Sequence, residues 1–213
     1  MNATTSLALA LLTGYVCGSL PWGLWLGRGL RGVDVRTLGS GNLGATNVYR
    51  SLGPGIGVAT LLLDIAKGAL PVWLVPGASW AQSFPGGAAW CALAVGFAAV
   101  AGHVWTFLAG FKGGKGVATS AGVLLALSPP AFGVFVAVFV ATLLLTRYVS
   151  LGSILGATAF TIALWRFSTD GAANPRFLLG LLLAVVVVVR HKDNILRLLK
   201  GQERRFSFTK ERT

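Results

Sequence analysis

Seven stretches of the chain consist almost entirely of apolar residues, and shorter segments rich in glycine and polar residues separate them. The apolar stretches cover residues 4–27, 55–75, 88–107, 115–128, 130–147, 149–167 and 176–190. A helix needs about 20 apolar residues to cross the hydrocarbon of a bilayer, and most of the stretches approach this length, although the fourth is short. The pattern predicts an all-α, polytopic membrane protein with seven transmembrane helices.

The fourth and fifth stretches are also compatible with one long kinked helix over residues 117–146. Between them stands Ser128-Pro129-Pro130. Proline lacks a backbone donor and disfavours helix in the residue before it, so this tripeptide favours a tight turn between two helices.

The distribution of basic residues supports seven separate spans. With an outside N-terminus, one side of the membrane receives Arg28, Arg31, Arg36, Arg50, Lys112, Lys115, Arg147 and every basic residue from Arg190 to Arg212. The other side receives only Arg166 and Arg176. Merging two spans would place Arg147 and the basic tail on opposite sides, against the positive-inside rule. We therefore expect an outside N-terminus, a cytoplasmic C-terminus and a basic cytoplasmic tail over about 191–213.

Composition agrees with a membrane protein and excludes an ordinary soluble domain. Of the 213 residues, 54% are hydrophobic and 11% are charged, and the mean hydropathy is +0.74. The formal charge is +12, and most of the basic residues fall on the predicted cytoplasmic side. The positive-inside rule explains this distribution, so we expect membrane lipid as a partner and not nucleic acid. No basic segment precedes the first stretch, which indicates a retained helix and not a cleaved signal. The sequence contains neither an internal repeat nor a linker, so we predict one domain over residues 1–213. No obligate protein partner is evident from the sequence.

A lysine–glycine loop, residues 110–116, precedes the fourth apolar stretch. It contains Lys112 and Lys115 among the glycines Gly110, Gly113, Gly114 and Gly116. Glycines let backbone N–H groups turn toward a ligand, and a helix start adds partial positive charge, so the loop is a candidate anion site. It is not a Walker P-loop, because Ala109 and Gly116 stand where that motif needs Gly and Ser or Thr. A flexible basic turn against lipid headgroups is the alternative.

A second polar cluster, the serine–glycine loop, covers residues 38–47 and is followed by Arg50. Its glycines alternate with small polar residues, and its candidate binding residues are Ser40, Gly41, Asn42, Thr46 and Asn47. Hydroxyl and amide groups offer donors to a phosphate, and Arg50 adds a guanidinium fork. The alternative is an ordinary loop in which Thr46 caps a helix.

Two histidines and one ion pair complete the candidate chemistry. His191 and Asn194 are three residues apart after the last stretch and would share a helix face. His103 stands alone in the third stretch, where a structural role competes with a role in the site. Asp64 and Lys67 lie three apart within the second stretch. Each would cost about 2.5–3.5 kcal/mol on insertion, so we expect them to face the bundle and pair, as a structural pair or beside the site.

Several kinds of catalytic site are missing from the sequence. There is no pair of carboxylates in the polar loops, no HExxH, no G-x-S-x-G and no metal-ligand spacing, and neither Cys17 nor Cys91 suggests a zinc site or a disulfide. Neither histidine begins the His-x4-Asp pair of thioester-using glycerolipid acyltransferases, since Leu108 and Leu196 stand at the fifth positions. The chemistry must need little from the protein beyond binding and charge.

Together the clusters resemble the bacterial acyl-phosphate:glycerol-3-phosphate acyltransferases, over about residues 14–206. Three segments carry the resemblance: Gly39-Ser-Gly-Asn-x-Gly-Ala-Thr-Asn47 with Arg50, Phe111-Lys-Gly-Gly-Lys-Gly-Val-Ala-Thr119, and His191-x-Asp-Asn-Ile-x-Arg197. Shorter segments follow in the same order: Gly18-Ser-Leu-Pro21, Leu63-Asp-x-x-Lys-Gly68, Gly102-His103, Arg147-Tyr-x-Ser150 and Gly201-x-Glu203. Each segment alone is weak, and the ordered set is specific.

The resemblance implies a seven-helix inner-membrane enzyme with a cytoplasmic site. It would make lysophosphatidic acid from glycerol 3-phosphate and a fatty acyl phosphate, release inorganic phosphate and use no cofactor or metal. The residues implied in phosphate binding are Ser40, Asn42, Thr46, Arg50, Lys112 and Ser150. His191 and Asn194 would position glycerol phosphate. The rivals are an organic-anion transporter, which predicts an inverted repeat, and a Mg²⁺-dependent headgroup phosphotransferase, for which Asp34 and Asp64 are too few and too far apart.

Overall fold

The computed structural model describes residues 1–167 and 174–207, and this part of the chain is helical with no strand. It forms two compact units, Met1–Leu127 and Ser128–Thr213. Lys210 and Arg212 of the predicted basic tail lie outside the described residues. The prediction of an all-α protein is confirmed for the described residues.

The first unit contains six α-helices and four short 3₁₀ turns. The helices are α1 Ala3–Gly18, α2 Trp22–Arg31, α3 Ala45–Leu52, α4 Pro54–Leu74, α5 Gly87–Val104 and α6 Val117–Leu127. The 3₁₀ turns are Val35–Thr37, Val75–Gly77, Ser79–Ser83 and Phe107–Ala109. The two polar loops found in the sequence connect α2 to α3 and α5 to α6.

The first apolar stretch is two helices, where the sequence predicted one span over residues 4–27. The helix breaks between Gly18 and Trp22 because Pro21, at φ −91° and ψ 68°, lies outside helical geometry and has no N–H to donate. The side chain of Thr106 donates to the carbonyl of Ser19 in this break. The end of α5 is therefore anchored on the break.

Small residues let the helices of the first unit approach closely. A Cβ added to Gly14 would meet the backbone at Val95, and one added to Gly18 would meet the backbone at Ala99, so α1 packs directly on α5. Gly68 lies against Thr119 in the same way, which brings α4 onto α6. The hydrophobic effect does not drive helix association within lipid, so the van der Waals contacts between closely approaching backbones stabilise the packing instead. Gly14 and Gly18 are therefore packing positions of α1.

The second unit contains four helices in its described part: α7 Pro129–Thr146, α8 Val149–Phe167, α9 Pro175–Arg190 and α10 Lys192–Leu199. Gly152 and Gly156 of α8 lie against Phe139 and Phe135 of α7, so these glycines let the two helices pack closely. Arg147 ends α7 in the left-handed region at φ 60°.

Five helical segments in the described residues are long and apolar enough to cross a membrane: Ala3–Arg31, Pro54–Gly77, Gly87–Ala109, Pro129–Thr146 and Val149–Phe167. The predicted fourth span is α6, of 11 residues, and the predicted seventh is α9, of 16 residues. Ser128, at φ −156° and ψ 85°, separates α6 from α7, so the predicted break between them is confirmed. Seven spans and the orientation of the termini stay predictions.

Candidate active site

The buried side chain of Asn47 organises the serine–glycine loop. Its Oδ1 accepts from the N–H of Ser40 at 2.9 Å. Its Nδ2 lies within hydrogen-bond distance of the carbonyls of Asn42, Leu38 and Val35, at 2.9, 3.1 and 3.3 Å. Asn47 is 6% exposed. One amide thus holds both ends of the loop, since it faces backbone groups on either side of Ser40.

The rest of the loop follows from this arrangement. Gly39 has φ 57°, and a Cβ there would run into the Asn47 amide, so the position requires glycine. The Oδ1 of Asn42 accepts from the N–H of Gly44 at 2.8 Å. Gly44 is the N-cap of α3, which makes Thr46 a first-turn residue and not the cap. Ser40 stays exposed on this frame.

Asp34 fixes the segment that enters the serine–glycine loop. Its carboxylate pairs with Arg36 at 2.7 Å and with Arg28 at 2.8 Å. The hydrogen bond from the Arg36 side chain holds the pKa of Asp34 well below its usual range, with further help from Arg28. Both arginines therefore stabilise the loop's own structure.

An apolar cluster under the two polar loops joins them within the first unit. The cluster consists of Leu24, Val35, Leu43, Val48, Ile56 and Ala109. Leu43 belongs to the serine–glycine loop, Val48 to α3, and Ala109 to the 3₁₀ turn that leads into the lysine–glycine loop. Arg50 is exposed on α3 and Lys112 is exposed three residues after Ala109. The cluster anchors the segments that carry these two cations on one core.

The lysine–glycine loop closes the end of α5. The N–H of Gly113 donates to the carbonyl of Val104 and the N–H of Gly114 donates to the carbonyl of His103, both at 3.1 Å. The sequence predicted that the N–H groups from Gly113 to Gly116 face an anion. For Gly113 and Gly114 this is wrong, because the last carbonyls of a helix lack partners and these two groups supply them. The predicted anion site of the loop is therefore reduced to its lysines and its later residues.

Glycine is needed at both positions because the loop lies directly on α5. A Cβ on Gly113 would meet the His103 carbonyl, and a Cβ on Gly114 would meet Nε2 of the His103 ring. Phe111 takes a left-handed conformation at φ 62°, and its N–H donates to the carbonyl of Thr106 at 2.8 Å. The backbone before Lys112 is thus held by Thr106, and the backbone after it by the last residues of α5.

Three buried polar side chains form a cluster behind this loop. Asp64 and Lys67 of α4 are 2% and 6% exposed, and Lys67 Nζ lies 2.8 Å from Asp64 Oδ1. The predicted pairing of these residues is confirmed. Lys67 also donates to the carbonyl of Leu20 at 2.7 Å, and the ring of His103, 5% exposed, places Nδ1 3.7 Å from Asp64 Oδ1.

In the second unit, the carboxylate of Glu203 accepts hydrogen bonds from three side chains on two helices, α8 and α10. Ser150 donates to Oε1 at 2.7 Å and Asn194 donates to Oε1 at 2.6 Å. Arg197 donates to Oε2 at 2.8 Å. The Glu203 side chain is only 6% exposed. Burial raises the pKa of this carboxyl, but the hydrogen bonds from Asn194, Ser150 and Arg197 outweigh it and hold the pKa below its usual range.

His191 joins α9 to α10 and is buried, at 3% exposed. Its Nδ1 lies 2.7 Å from the carbonyl oxygen of Val187. A carbonyl only accepts, so Nδ1 carries the hydrogen of this bond. The bond fixes the orientation of the ring on the last turn of α9.

A sequence profile described as "Glycerol-3-phosphate acyltransferase" matches residues 8–201. The chain belongs to the glycerol-3-phosphate acyltransferase family. The glycerol-3-phosphate acyltransferase of Desulforudis audaxviator is 47% identical over 208 residues, covering 97% of this chain and 100% of that protein. The corresponding protein of Geobacter sulfurreducens is 47% identical over 193 residues, covering 90% and 93%.

Two crystal structures of PlsY, an integral membrane glycerol 3-phosphate acyltransferase, have the same fold as this family member. The glycerol 3-phosphate form has a TM-score of 0.83 and 36% identity, covering 95% of this chain and 96% of that chain. The lysophosphatidic acid form has a TM-score of 0.81 and 35% identity, covering 96% and 97%. Together with its long apolar helices, this likeness makes the acyltransferase a multi-pass membrane protein.

The acyltransferase distributes its predicted site residues over both units. The first unit holds Ser40, Gly41, Asn42, Thr46, Asn47, Arg50, His103, Lys112, Gly113, Gly114, Lys115 and Gly116. The second unit holds Ser150, His191 and Asn194. Within each unit the structure brings sequence-distant members together: Ser40 with Asn47, His103 with Gly114, and Ser150 with Asn194. Their roles toward substrate stay predictions.

Glu203 belongs to the motif Gly201-x-Glu203 but is not among the site residues that the sequence predicts. The signal was its charge: it is the one glutamate in a segment, residues 190–206, that is otherwise dominated by Lys and Arg. A glutamate in a basic tail is a candidate acceptor for a buried hydrogen-bond network. The donors that it holds, Ser150 and Asn194, were predicted as phosphate and glycerol ligands.

Proposed function

We propose that the protein transfers a fatty acyl group from an acyl phosphate to the sn-1 hydroxyl of glycerol 3-phosphate. The products are lysophosphatidic acid and inorganic phosphate, and the reaction is the first acylation step of phospholipid synthesis. The observation that carries this proposal is the apolar cluster that joins the segments bearing Arg50 and Lys112, in a member of this acyltransferase family. Two exposed cations on one core suit a reaction in which both substrates carry phosphate.

The acceptor and product are supported by the solved relatives. The PlsY structures are described as a glycerol 3-phosphate form and a lysophosphatidic acid form. At 36% identity and near-complete coverage, the same acceptor is the natural proposal for this chain.

The choice of acyl phosphate as donor rests on the absence of a His-x4-Asp pair at both histidines in the sequence. Leu108 and Leu196 stand where a His-x4-Asp pair would place its carboxylate. An acyl phosphate is an activated mixed anhydride, so it needs less activation of the attacking hydroxyl than a thioester does. Positioning and charge neutralisation then supply much of the rate.

The proposed step is a direct acyl transfer. The glycerol hydroxyl oxygen attacks the acyl carbonyl carbon, the new ester C–O bond forms, and the bond between that carbon and the phosphate oxygen breaks. The electron pair of the broken bond leaves with the phosphate. A phosphate oxygen of the substrates takes the hydroxyl proton, so the step balances without a protein base or a cofactor.

The residues divide into direct and positioning roles in this proposal. Ser40, Arg50 and Lys112 contact phosphate oxygens, with Asn42, Thr46, Lys115 and Gly116 beside them. Asn47, Gly113 and Gly114 act through the backbone that they hold, because their polar groups are used within the protein. For His191 and Asn194 we propose a role in positioning glycerol 3-phosphate, and for Ser150 a role in phosphate binding, as the family resemblance implies.

We also propose a location for the reaction. The chain crosses the bacterial inner (plasma) membrane seven times as one domain, with the N-terminus outside and the reaction on the cytoplasmic side. The asymmetry of basic residues supports this orientation.

One experiment tests the activity directly. Purified protein in detergent or liposomes is incubated with glycerol 3-phosphate and palmitoyl phosphate, and lysophosphatidic acid and inorganic phosphate are both measured. Equal amounts of the two products, dependent on both substrates, are expected. Phosphate release without lysophosphatidic acid would identify a phosphatase and contradict the proposal.

A further inference from the structure

The Asp64–Lys67 pair makes contacts beyond those that a self-contained ion pair needs. The two residues lie one turn apart on α4, and their side chains bridge to two other segments of the first unit. Lys67 reaches the Leu20 carbonyl at 2.7 Å, in the break between α1 and α2. Asp64 faces the His103 ring at the end of α5. The pair thus contacts both helix ends that meet behind the lysine–glycine loop.

His103 connects this pair to the loop. Its Nδ1 faces Asp64 Oδ1 at 3.7 Å, while its Nε2 occupies the space that a Cβ on Gly114 would need. The backbone of the same histidine accepts the N–H of Gly114 at 3.1 Å. Gly114 is therefore held by both the ring and the backbone of one residue. The ring in turn is packed between a carboxylate and the loop.

We propose that Asp64 is a positioning residue of the acyltransferase, which orients the His103 ring and through it fixes the backbone of the lysine–glycine loop that presents Lys112. This inference rests on the proposed function for its effect on catalysis. The arrangement of the loop itself is independent of that function. A loose loop weakens the binding of whichever phosphate Lys112 contacts, because the ammonium group is then held in place less often.

Two variants test the proposal without leaving a lone charge in the membrane. In the double variant Asp64→Asn with Lys67→Met, both charges are removed together, so the unpaired buried charge of a single substitution is avoided. In His103→Asn, the amide keeps a polar group where Nδ1 faces Asp64 but leaves the space beside Gly114 empty. Thr60→Val is the matched control, since Thr60 is equally buried on α4 and its hydroxyl donates to Ile56 within that helix.

The first readout is hydrogen exchange of the peptide that contains Gly113 and Gly114. Both variants are expected to speed exchange of these amides by at least about tenfold, because local opening of the loop frees them from the carbonyls of α5. Thr60→Val is expected to leave the exchange unchanged. The melting temperature and the size-exclusion profile in detergent identify variants that are folded.

The second readout is steady-state kinetics with glycerol 3-phosphate and palmitoyl phosphate varied separately. In folded variants the KM of one phosphate substrate is expected to rise at least about fivefold, with kcat changed less, since a positioning role weakens substrate binding. A purely structural pair would lower the melting temperature without this change in KM.

The outcomes separate the inference from the function. Unchanged exchange in both folded variants overturns the inference, and so does faster exchange with an unchanged KM in an active enzyme. Faster exchange in a protein whose wild type makes no lysophosphatidic acid contradicts the proposed function while the coupling of Asp64 to the loop stands.

Discussion

Arg50 and Lys112 are the basic side chains that the proposed reaction uses most directly. Arg50→Ala and Lys112→Ala should each lower kcat/KM by at least about tenfold, because a hydrogen bond to a charged group contributes about 1.5–3 kcal/mol. Steady-state assays of lysophosphatidic acid formation measure the effect. Arg31→Ala, which removes an exposed basic residue at the end of α2, is the control and should retain activity. Equal activity in all three variants would place the phosphates elsewhere.

Gly114 tests the contact between the lysine–glycine loop and His103. In Gly114→Ala the new Cβ would meet Nε2 of the His103 ring, so the ring or the loop must move. Overpacking of this kind costs about 1–3 kcal/mol, and we expect a lower melting temperature together with a loss of activity. Gly29→Ala is the matched control, because a Cβ at Gly29 has no neighbour within 4 Å in the described structure. If the two alanine variants have the same melting temperature and the same activity, the close packing of the loop against His103 contributes to neither stability nor catalysis.

At the scale of single elements, the sequence predicted which segments are helical and which loops are polar, because apolar runs and glycine clusters are local features. It did not predict the break after Gly18. Pro21 was visible, but an N-terminal proline of a new helix and a kink within one span have the same local sequence. The tertiary contact of Thr106 with Ser19 holds the break, and no local pattern announces that contact.

The sequence predicted which residue types form the candidate site, but it did not predict their hydrogen-bond partners. Glycines at 113 and 114 suggested free backbone donors, yet tertiary contact with the end of α5 uses those donors. Asn47 was predicted as a ligand, and its amide holds the serine–glycine loop. Both differences have one cause: a polar group that satisfies the chain's own backbone has the same sequence signature as one that satisfies a ligand.

The segment around Glu203 leads to a prediction about pH. The pKa of Glu203 is lowered in the folded protein, so its ionised form stabilises the fold at pH values above the ordinary carboxyl pKa, and this contribution disappears as pH falls through the lowered value. Glu203→Gln should therefore melt below wild type at pH 7, and the gap should narrow below the ordinary value of 4.5. Melting curves from pH 7 to pH 3.5 measure the gap. Asp193→Asn, an exposed carboxylate of α10, should not reproduce it. A gap that is constant with pH would contradict the network.

At the scale of the whole molecule, the proposed orientation predicts which surfaces face the outside. In a background with Cys17 and Cys91 replaced by alanine, a cysteine at Gln82, exposed in the Ser79–Ser83 turn, should react with an impermeant maleimide in intact cells. A cysteine at Gln202, exposed after α10, should react only after the cells are opened. The expectation follows from the positive-inside rule, since Gln202 stands among basic residues and Gln82 does not. The reverse pattern would invert the topology and place the polar loops outside.

The identity of the acyl donor is a property of the whole enzyme, and the proposed reaction predicts it. A thioester donor leaves as a thiolate and usually requires a histidine–carboxylate pair to activate the attacking hydroxyl, and the His-x4-Asp form of that pair is missing from this sequence. In the proposed reaction the phosphate leaving group is neutralised by Arg50 and Lys112 and carries its own proton acceptor. Palmitoyl phosphate should therefore support turnover, while palmitoyl-CoA and palmitoyl-acyl carrier protein should not.

Inorganic phosphate provides the matching test of the donor site, since it is the leaving group of the proposed reaction. It should inhibit competitively with palmitoyl phosphate, and Lys112→Ala or Arg50→Ala should weaken that inhibition where the affected cation contacts the donor phosphate. Initial rates at several concentrations of phosphate and palmitoyl phosphate give the inhibition pattern. The preparation must be free of enzymes that convert palmitoyl-CoA to the acyl phosphate. Sustained lysophosphatidic acid synthesis from palmitoyl-CoA in such a preparation would show that the phosphate leaving group is not required, and the proposed role of the two cations would then have no basis.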